Sequence, residues 1–168
     1  AGLEFKENGN GTCVITGIGS CNDADLVIPL KSPTGSSVVG ISSYAFNKNR
    51  DLLSVTIPSG SSLTIDGSAF SDCKKLENVW IWDSSVEISS SAFSEGKGMT
   101  SLTINGGEVE IGQYAFYKSD IQVVTVFNCN LTVDNSAFEY CDEITNITLS
   151  NCKAELDSCA FSECGDMA

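Results

Sequence analysis

The chain has 168 residues and carries 22 acidic against 9 basic side chains, which gives a formal net charge of −13. This balance argues against nucleic-acid binding, which uses basic stripes to hold phosphates, and it disfavours anionic lipid surfaces. Because 42% of the residues are hydrophobic and only 18% are charged, the chain is predicted to fold. No apolar run approaches the roughly 18 residues of a membrane-spanning segment, so no membrane insertion is expected in this segment.

Residues 1–40 precede a series of six Ala-Phe pairs, and we predict that they form an N-terminal capping region of β-structure. Within residues 41–168 the Ala-Phe pair recurs at steps of 24, 23, 23, 22 and 23 residues. A spacing this regular indicates a repeat protein, in which each unit packs against its neighbours. The six phenylalanines are predicted to form a stacked structural ladder: Phe46, Phe70, Phe93, Phe116, Phe138 and Phe161.

Each repeat contains two short segments in which apolar and polar residues alternate. The first follows the ladder phenylalanine, as in Val79-Trp80-Ile81, and the second precedes the next Ala-Phe pair, as in Val86-Glu87-Ile88. Alternation with a period of two predicts half-buried strands, and these segments carry no apolar stripe at helical spacing. We therefore predict a β-rich solenoid with two short strands per coil, stacked in parallel on the neighbouring coils. The handedness of the solenoid stays open.

Two tryptophans lie on the outer side of the first strand, and one of them, Trp80, interrupts a row of threonines. Since Val79 and Ile81 must point inward, Trp80 and Trp82 point outward, and Phe127 shares the register of Trp82 two coils further on. The other coils carry threonine at the position of Trp80: Thr56, Thr103, Thr125 and Thr148. Exposed aromatic side chains on a polar surface often mark interfaces, and tryptophan also stacks on sugar rings. We predict that the three aromatic residues bind a ligand; packing under a loop or against another domain is the structural alternative.

Glu87, Glu110 and Glu155 occupy the outward position of the second strand. Glu87 and Glu110 lie on adjacent coils, so their carboxylates would approach the roughly 5 Å separation of retaining glycosidases. A glycan-active enzyme of the β-helix type is therefore one alternative. However, any solenoid with a charged outward column produces such pairs, and the chain has no histidine and no insertion to build a substrate cleft. We therefore predict that no residue is catalytic.

The eight cysteines fall into registers of the repeat rather than into metal-binding spacings. Since the consensus of the repeat explains their positions and no histidine is present, three of them are predicted to be buried packing residues, and no metal or cofactor is expected. These three follow a ladder phenylalanine by three residues: Cys73, Cys141 and Cys164. Cys129 and Cys152 share a register on adjacent coils, and Cys13 and Cys21 lie in the N-terminal region. A disulfide within either of these pairs stays open.

The segment from Ala69 to Ile81 has the pattern Ala-Phe-x-x-Cys-x-x-Leu-x-x-Val-x-Ile, which resembles the BspA-like leucine-rich repeat. The lead-in segments at 3–5, 11–19 and 26–29 resemble the usual N-terminal region of that family. The consensus cysteine is replaced in the remaining repeats, by Asn49, Gly96 and Ser119. The resemblance covers essentially the whole chain. It implies a surface or secreted protein of bacteria or protozoa that adheres to host proteins or to other cells.

From these observations we expect a non-catalytic cell-surface or secreted module that binds a protein or glycan on a host or neighbouring cell. A structural spacer that displays another domain of a larger surface protein is the main alternative. The sixth repeat stops at Ala168 before its strand, and no polar cap is visible in the sequence. This predicts that the chain is a fragment of a longer repeat array or has lost its true end.

Overall fold

The computed structural model describes residues 2–165, which wind into stacked coils built from twelve strands and tight turns. Within these residues there is no helix, and hence none long and apolar enough to cross a membrane. The predicted β-rich solenoid is therefore confirmed. The strands are β1 (Glu4–Glu7), β2 (Thr12–Gly17), β3 (Asp25–Val27), β4 (Ser37–Ile41), β5 (Ser54–Ile57), β6 (Ser62–Ile65), β7 (Asn78–Ile88), β8 (Ser101–Ile111), β9 (Val123–Phe127), β10 (Asn130–Val133), β11 (Asn146–Ser150) and β12 (Lys153–Leu156).

The strands form two parallel rows along the solenoid. The first strand row contains β3, β5, the first halves of β7 and β8, β9 and β11. The second strand row contains β2, β4, β6, the second halves of β7 and β8, β10 and β12. β1 pairs in the antiparallel direction with β2 at the outer edge of the second row. Strand β4 crosses residue 40, so the division of the chain into 1–40 and 41–168 stays a prediction.

The corner between the two rows differs from the sequence-based expectation of two separate strands in every coil. In β7 and β8 the two strands join into single strands of 11 residues each. The bend is made by residues with positive φ, Asp83 in β7 and the pair Gly106 and Gly107 in β8, which turn the chain while the strands remain paired. Asparagine at 128 and 151 makes the same corner in the next coils. Gly, Asn and Asp are the residues that adopt this conformation most readily. Pro58, which has no N–H group for a ladder, follows β5 and ends it.

The phenylalanine ladder lies in the core, as predicted from the repeat. Successive rings are separated by 4.8–5.2 Å between centroids and are parallel to within 8°. This spacing matches the distance between paired strands, so each coil places its ring on the ring of the coil below. Five of the six rings are buried, and the last, Phe161, is half-buried. The ladder therefore provides a ring-to-ring contact between each pair of successive coils from Phe46 to Phe161.

The third side of the solenoid is formed by the turns that contain the Ala-Phe pairs, which we call the turn side. Its segments are 43–48, 67–72, 90–95, 113–118, 135–140 and 158–163. The first five ladder phenylalanines each donate the backbone N–H to the alanine carbonyl of the following coil, as in Phe93 to Ala115 at 2.7 Å. Residues two positions before or after the phenylalanine adopt positive φ, among them Tyr114 at 59° and Tyr140 at 57°. Side chains at these positions are therefore directed by the turn rather than by a strand.

The last described coil has its inward side chains partly uncovered. Leu149 in β11 is 38% exposed and Leu156 in β12 is 45% exposed, whereas the equivalent Val126 and Val133 are buried. The difference arises because the structure describes no following coil to pack on them. Residues 166–168, where the sequence predicts an unfinished repeat, lie outside the described residues.

Candidate binding surface

Trp80 and Trp82 lie on the outer side of β7 in the first strand row, as the alternation predicts. The neighbouring Val79 and Ile81 are fully buried, which fixes the opposite direction for both indoles. Trp80 sits in register between Thr56 of β5 and a threonine of β8. Both indoles are half-buried rather than fully exposed. Trp80 has paired strands on both sides, whereas Trp82 pairs only with Asn105 of β8, because β5 ends at Ile57. The large apolar rings are thereby held on the surface of a regular parallel sheet.

Phe127 occupies the predicted register on the same outer surface. Asn105 of β8 pairs with Trp82 on one side and with Phe127 on the other, so the two aromatic residues are separated by one strand. Phe127 is 36% exposed. The structure thus places Phe127 in the register of Trp82, with Trp80 two residues earlier on the same strand row. We call Trp80, Trp82 and Phe127 the aromatic strip. Their role in ligand binding stays a prediction.

A row of hydrogen-bonded side chains borders the aromatic strip at the corner of the coils. The Asn128 side-chain amide donates to the Asn105 carbonyl oxygen at 3.2 Å, and Asn151 donates to Asn128 at 2.7 Å. Ser84 donates to the backbone carbonyls of Trp82 and Pro58, at 2.6 and 2.8 Å. These contacts fix the end of the strip at the corner and give it a polar border there; polar rims are common at protein interfaces.

The second strand row carries an open acidic groove, which the sequence indicated in part. Glu87 and Glu110 are register neighbours, as expected, whereas Thr132 separates Glu110 from Glu155. Glu108 also lines the groove, which has a volume of about 550 Å³. Sequence reasoning missed Glu108, although its place two residues before Glu110 in the same strand indicated the outward side. All of these carboxylates are exposed, and the described residues contain no group of three His, Cys, Asp or Glu side chains that could hold a metal.

The three cysteines in the consensus position pack beneath the phenylalanine ladder. Each thiol donates to the backbone carbonyl of the ladder phenylalanine in the preceding coil, which explains why a small polar sulfur recurs there. The three bonds join Cys73 to Phe46 at 3.1 Å, Cys141 to Phe116 at 3.0 Å and Cys164 to Phe138 at 3.0 Å. Burial raises the pKa of Cys73 and of Cys141 to about 12, because the thiolate would be desolvated. Burial thus disfavours the thiolate form at Cys73 and Cys141.

All eight cysteines are free thiols in the structure, including the two pairs that the sequence left open. The Cys13 thiol donates to the carbonyl of Ser36 at 3.7 Å, and the Cys21 thiol donates to the carboxylate of Asp23 at 3.4 Å. Cys129 is buried and Cys152 is half-buried at the corner of adjacent coils.

The difference in burial among the thiols predicts selective alkylation. With iodoacetamide at about pH 8, exposed Cys159 is expected to react, while Cys73 and Cys141 stay unmodified, because the thiolate is the reactive form. In concentrated urea all three should react. Peptide mass spectrometry measures the modified fraction of each thiol. Modification of Cys73 or Cys141 in the folded protein at the rate of Cys159 would contradict the described burial.

The structure also shows a tyrosine cluster on the turn side that sequence reasoning missed. Tyr117 makes edge-to-face contacts with Tyr114 and Tyr140, at 5.6 and 5.8 Å between ring centroids. These residues come from different positions of two adjacent coils, so the strand alternation gives no indication of their contact. An alignment of the turn segments places Tyr114 and Tyr117 beside Tyr140 of the next repeat. This alignment could have indicated the cluster from the sequence.

Comparison with known proteins identifies the repeat. The family model described as BspA type Leucine rich repeat region matches residues 36–168 in six copies. The Leucine Rich Repeat protein of T. pallidum has a similar structure, with a TM-score of 0.59 and 19% sequence identity over 89% of this chain and 83% of that chain. A leucine rich cell surface protein from Faecalibacterium prausnitzii A2-165 has a TM-score of 0.63 and 22% identity. That match covers 98% of this chain and 51% of that one, so this chain spans about half its length. No curated protein matches the sequence.

Proposed function

This chain belongs to the BspA-type leucine-rich repeat family, and on that premise we propose that it is a non-catalytic module that binds a protein on a host or neighbouring cell. The proposal places the module at the cell surface or in the secreted fraction. The description of the F. prausnitzii relative as a cell surface protein supports this location. The net charge of −13 supports a protein or glycan partner over nucleic acid.

The observation that carries the proposal is the aromatic strip on an otherwise threonine- and asparagine-rich strand row. Tryptophan is one of the three residue types enriched among the energetically important contacts of protein interfaces. Trp80 and Trp82 replace a small polar residue at positions where folding requires no large side chain, since Thr103 and Asn105 serve in the next coil. Burying the rest of these indoles against a partner would add apolar contact at little conformational cost, because strand β7 already holds both residues.

The shape of the strip favours a protein partner over a glycan, the two partners that the sequence left open. The strip lies on the outer side of a regular parallel strand row, and the acidic groove is lined by other residues of the second row. A surface of this kind offers contact area without a cleft, which suits another protein surface.

We also propose that the chain is not catalytic, and the exposure of the carboxylates in the acidic groove supports this. Glu87 and Glu110 are exposed on an open sheet surface, and residues 2–165 form no lid or insertion that would exclude water from a bound substrate. A general acid of a glycosidase requires an environment that keeps it protonated, which usually means burial. Loss of hydrolytic activity in a Glu87→Gln variant, if wild type showed any on a polysaccharide panel, would contradict this part of the proposal.

The proposal predicts that the double variant Trp80→Thr and Trp82→Asn loses binding while remaining folded. Both replacements are the residues that the next coil carries in the same register, so the strand row should be preserved. Surface plasmon resonance with immobilised fibronectin, fibrinogen, collagen and mucin measures the interaction. We expect wild type to bind at least one of these proteins. The affinity of the variant for that protein should be lower by roughly tenfold or more. Thr125→Ala on the same strand row is the matched control and should bind like wild type.

Two outcomes would overturn the proposal. One is binding of the double variant with the affinity of wild type, and the other is failure of wild type to bind any of the four proteins. Either result would favour the spacer function, for which the continuous phenylalanine ladder provides the rigidity. Circular dichroism of the variant excludes unfolding as the cause of a loss of binding.

A further inference from the structure

We infer that the tyrosine cluster on the turn side is a second binding site, which takes a neutral oligosaccharide. The cluster consists of Tyr114, Tyr117 and Tyr140, and it lies on a different side of the solenoid from the aromatic strip. The inference does not rest on the function proposed for that strip. It follows from the geometry of the rings, from the groups around them and from the charge balance at the site.

The three rings form a concave aromatic surface. Tyr117 is perpendicular to both neighbours, with interplanar angles of 84° to Tyr114 and 80° to Tyr140. Tyr117 is half-buried, whereas Tyr114 and Tyr140 are 36% and 41% exposed. Together with Ser91 and Glu139 they line a depression of about 430 Å³, which is within the size range of small-ligand sites.

The backbone holds the cluster in place before any ligand binds. Tyr114 and Tyr140 both have positive φ in tight turns, and turns of adjacent coils are joined by backbone hydrogen bonds. The N–H of Lys118 donates to the carbonyl of Glu139 at 3.0 Å, directly between the coils that supply the rings. A preformed site loses little conformational entropy when a ligand binds. The open depression can therefore bind a ligand even though it offers few contacts.

The side chains that line the depression favour a neutral carbohydrate over a charged ligand. The faces of tyrosine rings match the C–H faces of pyranose sugars, while the Ser91 hydroxyl and the Glu139 carboxylate at the rim suit sugar hydroxyls. A cationic ligand is disfavoured because the Lys118 ammonium already lies 5.1 Å from the Tyr117 centroid and 5.9 Å from that of Tyr140. An anionic ligand is disfavoured by Glu139 and by the net charge of −13.

The chain offers a matched pair of tyrosines for a test. Tyr44 occupies the same position of the first Ala-Phe turn as Tyr114, also with positive φ, and it is 67% exposed on a turn without other tyrosines. Serine occupies this position in three other coils, at Ser68, Ser91 and Ser136, and cysteine in the last described coil. The substitutions Tyr114→Ser and Tyr44→Ser should therefore preserve the fold equally, while only the first removes a ring from the cluster.

The experiment is a titration of 3-fluorotyrosine-labelled protein, followed by fluorine NMR, with cellohexaose, xylohexaose, mannohexaose and maltohexaose up to about 10 mM. For at least one sugar we expect the resonances of Tyr114, Tyr117 and Tyr140 to shift together, while that of Tyr44 stays unchanged. In the unlabelled protein, calorimetry should show that Tyr114→Ser and Tyr140→Ala each weaken binding by roughly tenfold or more. Tyr44→Ser, and the Trp80 and Trp82 variant, should bind the sugar like wild type.

The inference is overturned if none of the four sugars shifts the three resonances. It is also overturned if binding persists in Tyr114→Ser and Tyr140→Ala, or if Tyr44 responds as strongly as the cluster. A further contrary outcome is that the tyrosine substitutions weaken binding to an immobilised protein of the panel above while no sugar binds. The cluster would then belong to a protein interface. Because the tryptophan variant is assayed in parallel, failure of one site is distinguishable from failure of the other.

Discussion

Replacement of Phe93 by alanine is expected to lower the free energy of unfolding by about 3–5 kcal/mol. Phe93 is fully buried in the middle of the ladder, with the rings of Phe70 and Phe116 at 5.0 and 5.2 Å. The substitution removes apolar contact with both neighbours and leaves a cavity that the hydrogen-bonded coils cannot close. In a repeat protein the loss falls on the interfaces that join the two halves of the array.

Urea denaturation followed by circular dichroism measures this effect, and Phe161→Ala is the internal comparison. Phe161 is half-buried and contacts a single ring, Phe138 at 4.8 Å, so its loss should cost about 1 kcal/mol. A second transition in Phe93→Ala would show that the two halves unfold separately once the ladder is interrupted. Equal effects of the two substitutions would contradict a ladder in which central rings contribute most.

The regular part of the fold was predictable because one constraint repeats in every coil. Alternation with a period of two fixes which side chains point inward, so Val79 and Ile81 are buried and Trp80 is directed outward. The Ala-Phe step fixes the register between coils, which places Phe127 and Trp82 on the same row. The sequence is informative here because a shift by one residue would exchange the two sides of every strand.

The features that the sequence did not reveal depend on residues outside the strands. The joining of two strands in β7 and β8 depends on positive φ at Asp83 and Gly106, which a turn-rich segment does not distinguish from a loop. The tyrosine cluster depends on turns that direct Tyr114 and Tyr140 towards Tyr117. Half-burial of the tryptophans depends on the neighbouring coils. Each of these three features depends on contacts between coils. The alternation of apolar and polar residues within one strand gives no information about such contacts.

A substitution at the corner of β8 is also expected to lower the free energy of unfolding strongly. Gly107 has φ of +83°, and a Cβ atom there would lie 2.1 Å from the carbonyl oxygen and 2.6 Å from the nitrogen of Ser84 in the preceding coil. Gly107→Ala therefore combines a left-handed alanine with a clash against backbone that is fixed by strand pairing. We expect the free energy of unfolding to fall by about 3 kcal/mol.

Gly60 provides the control that separates these two contributions. Its φ of +84° is nearly the same, but a Cβ atom there meets nothing within 4 Å. Gly60→Ala should therefore cost only the conformational strain, about 1 kcal/mol. Urea denaturation of the two variants gives the difference directly. If both substitutions cost the same, the close approach of the coils at Gly107 contributes nothing and the described corner is wrong.

The same substitution connects the corner to the aromatic strip. Ser84 must move to accommodate an alanine at 107, and its hydroxyl is the group that donates to the backbone carbonyl of Trp82. Gly107→Ala is therefore expected to change the tryptophan fluorescence of the folded protein and to weaken binding to the partner of the strip, whereas Gly60→Ala should change neither. Thr103 and Asn105 show that the strand row itself tolerates small side chains beside the tryptophans. What the strip requires of the fold is thus a fixed corner, and the glycine at 107 allows the coils to approach closely enough to form it.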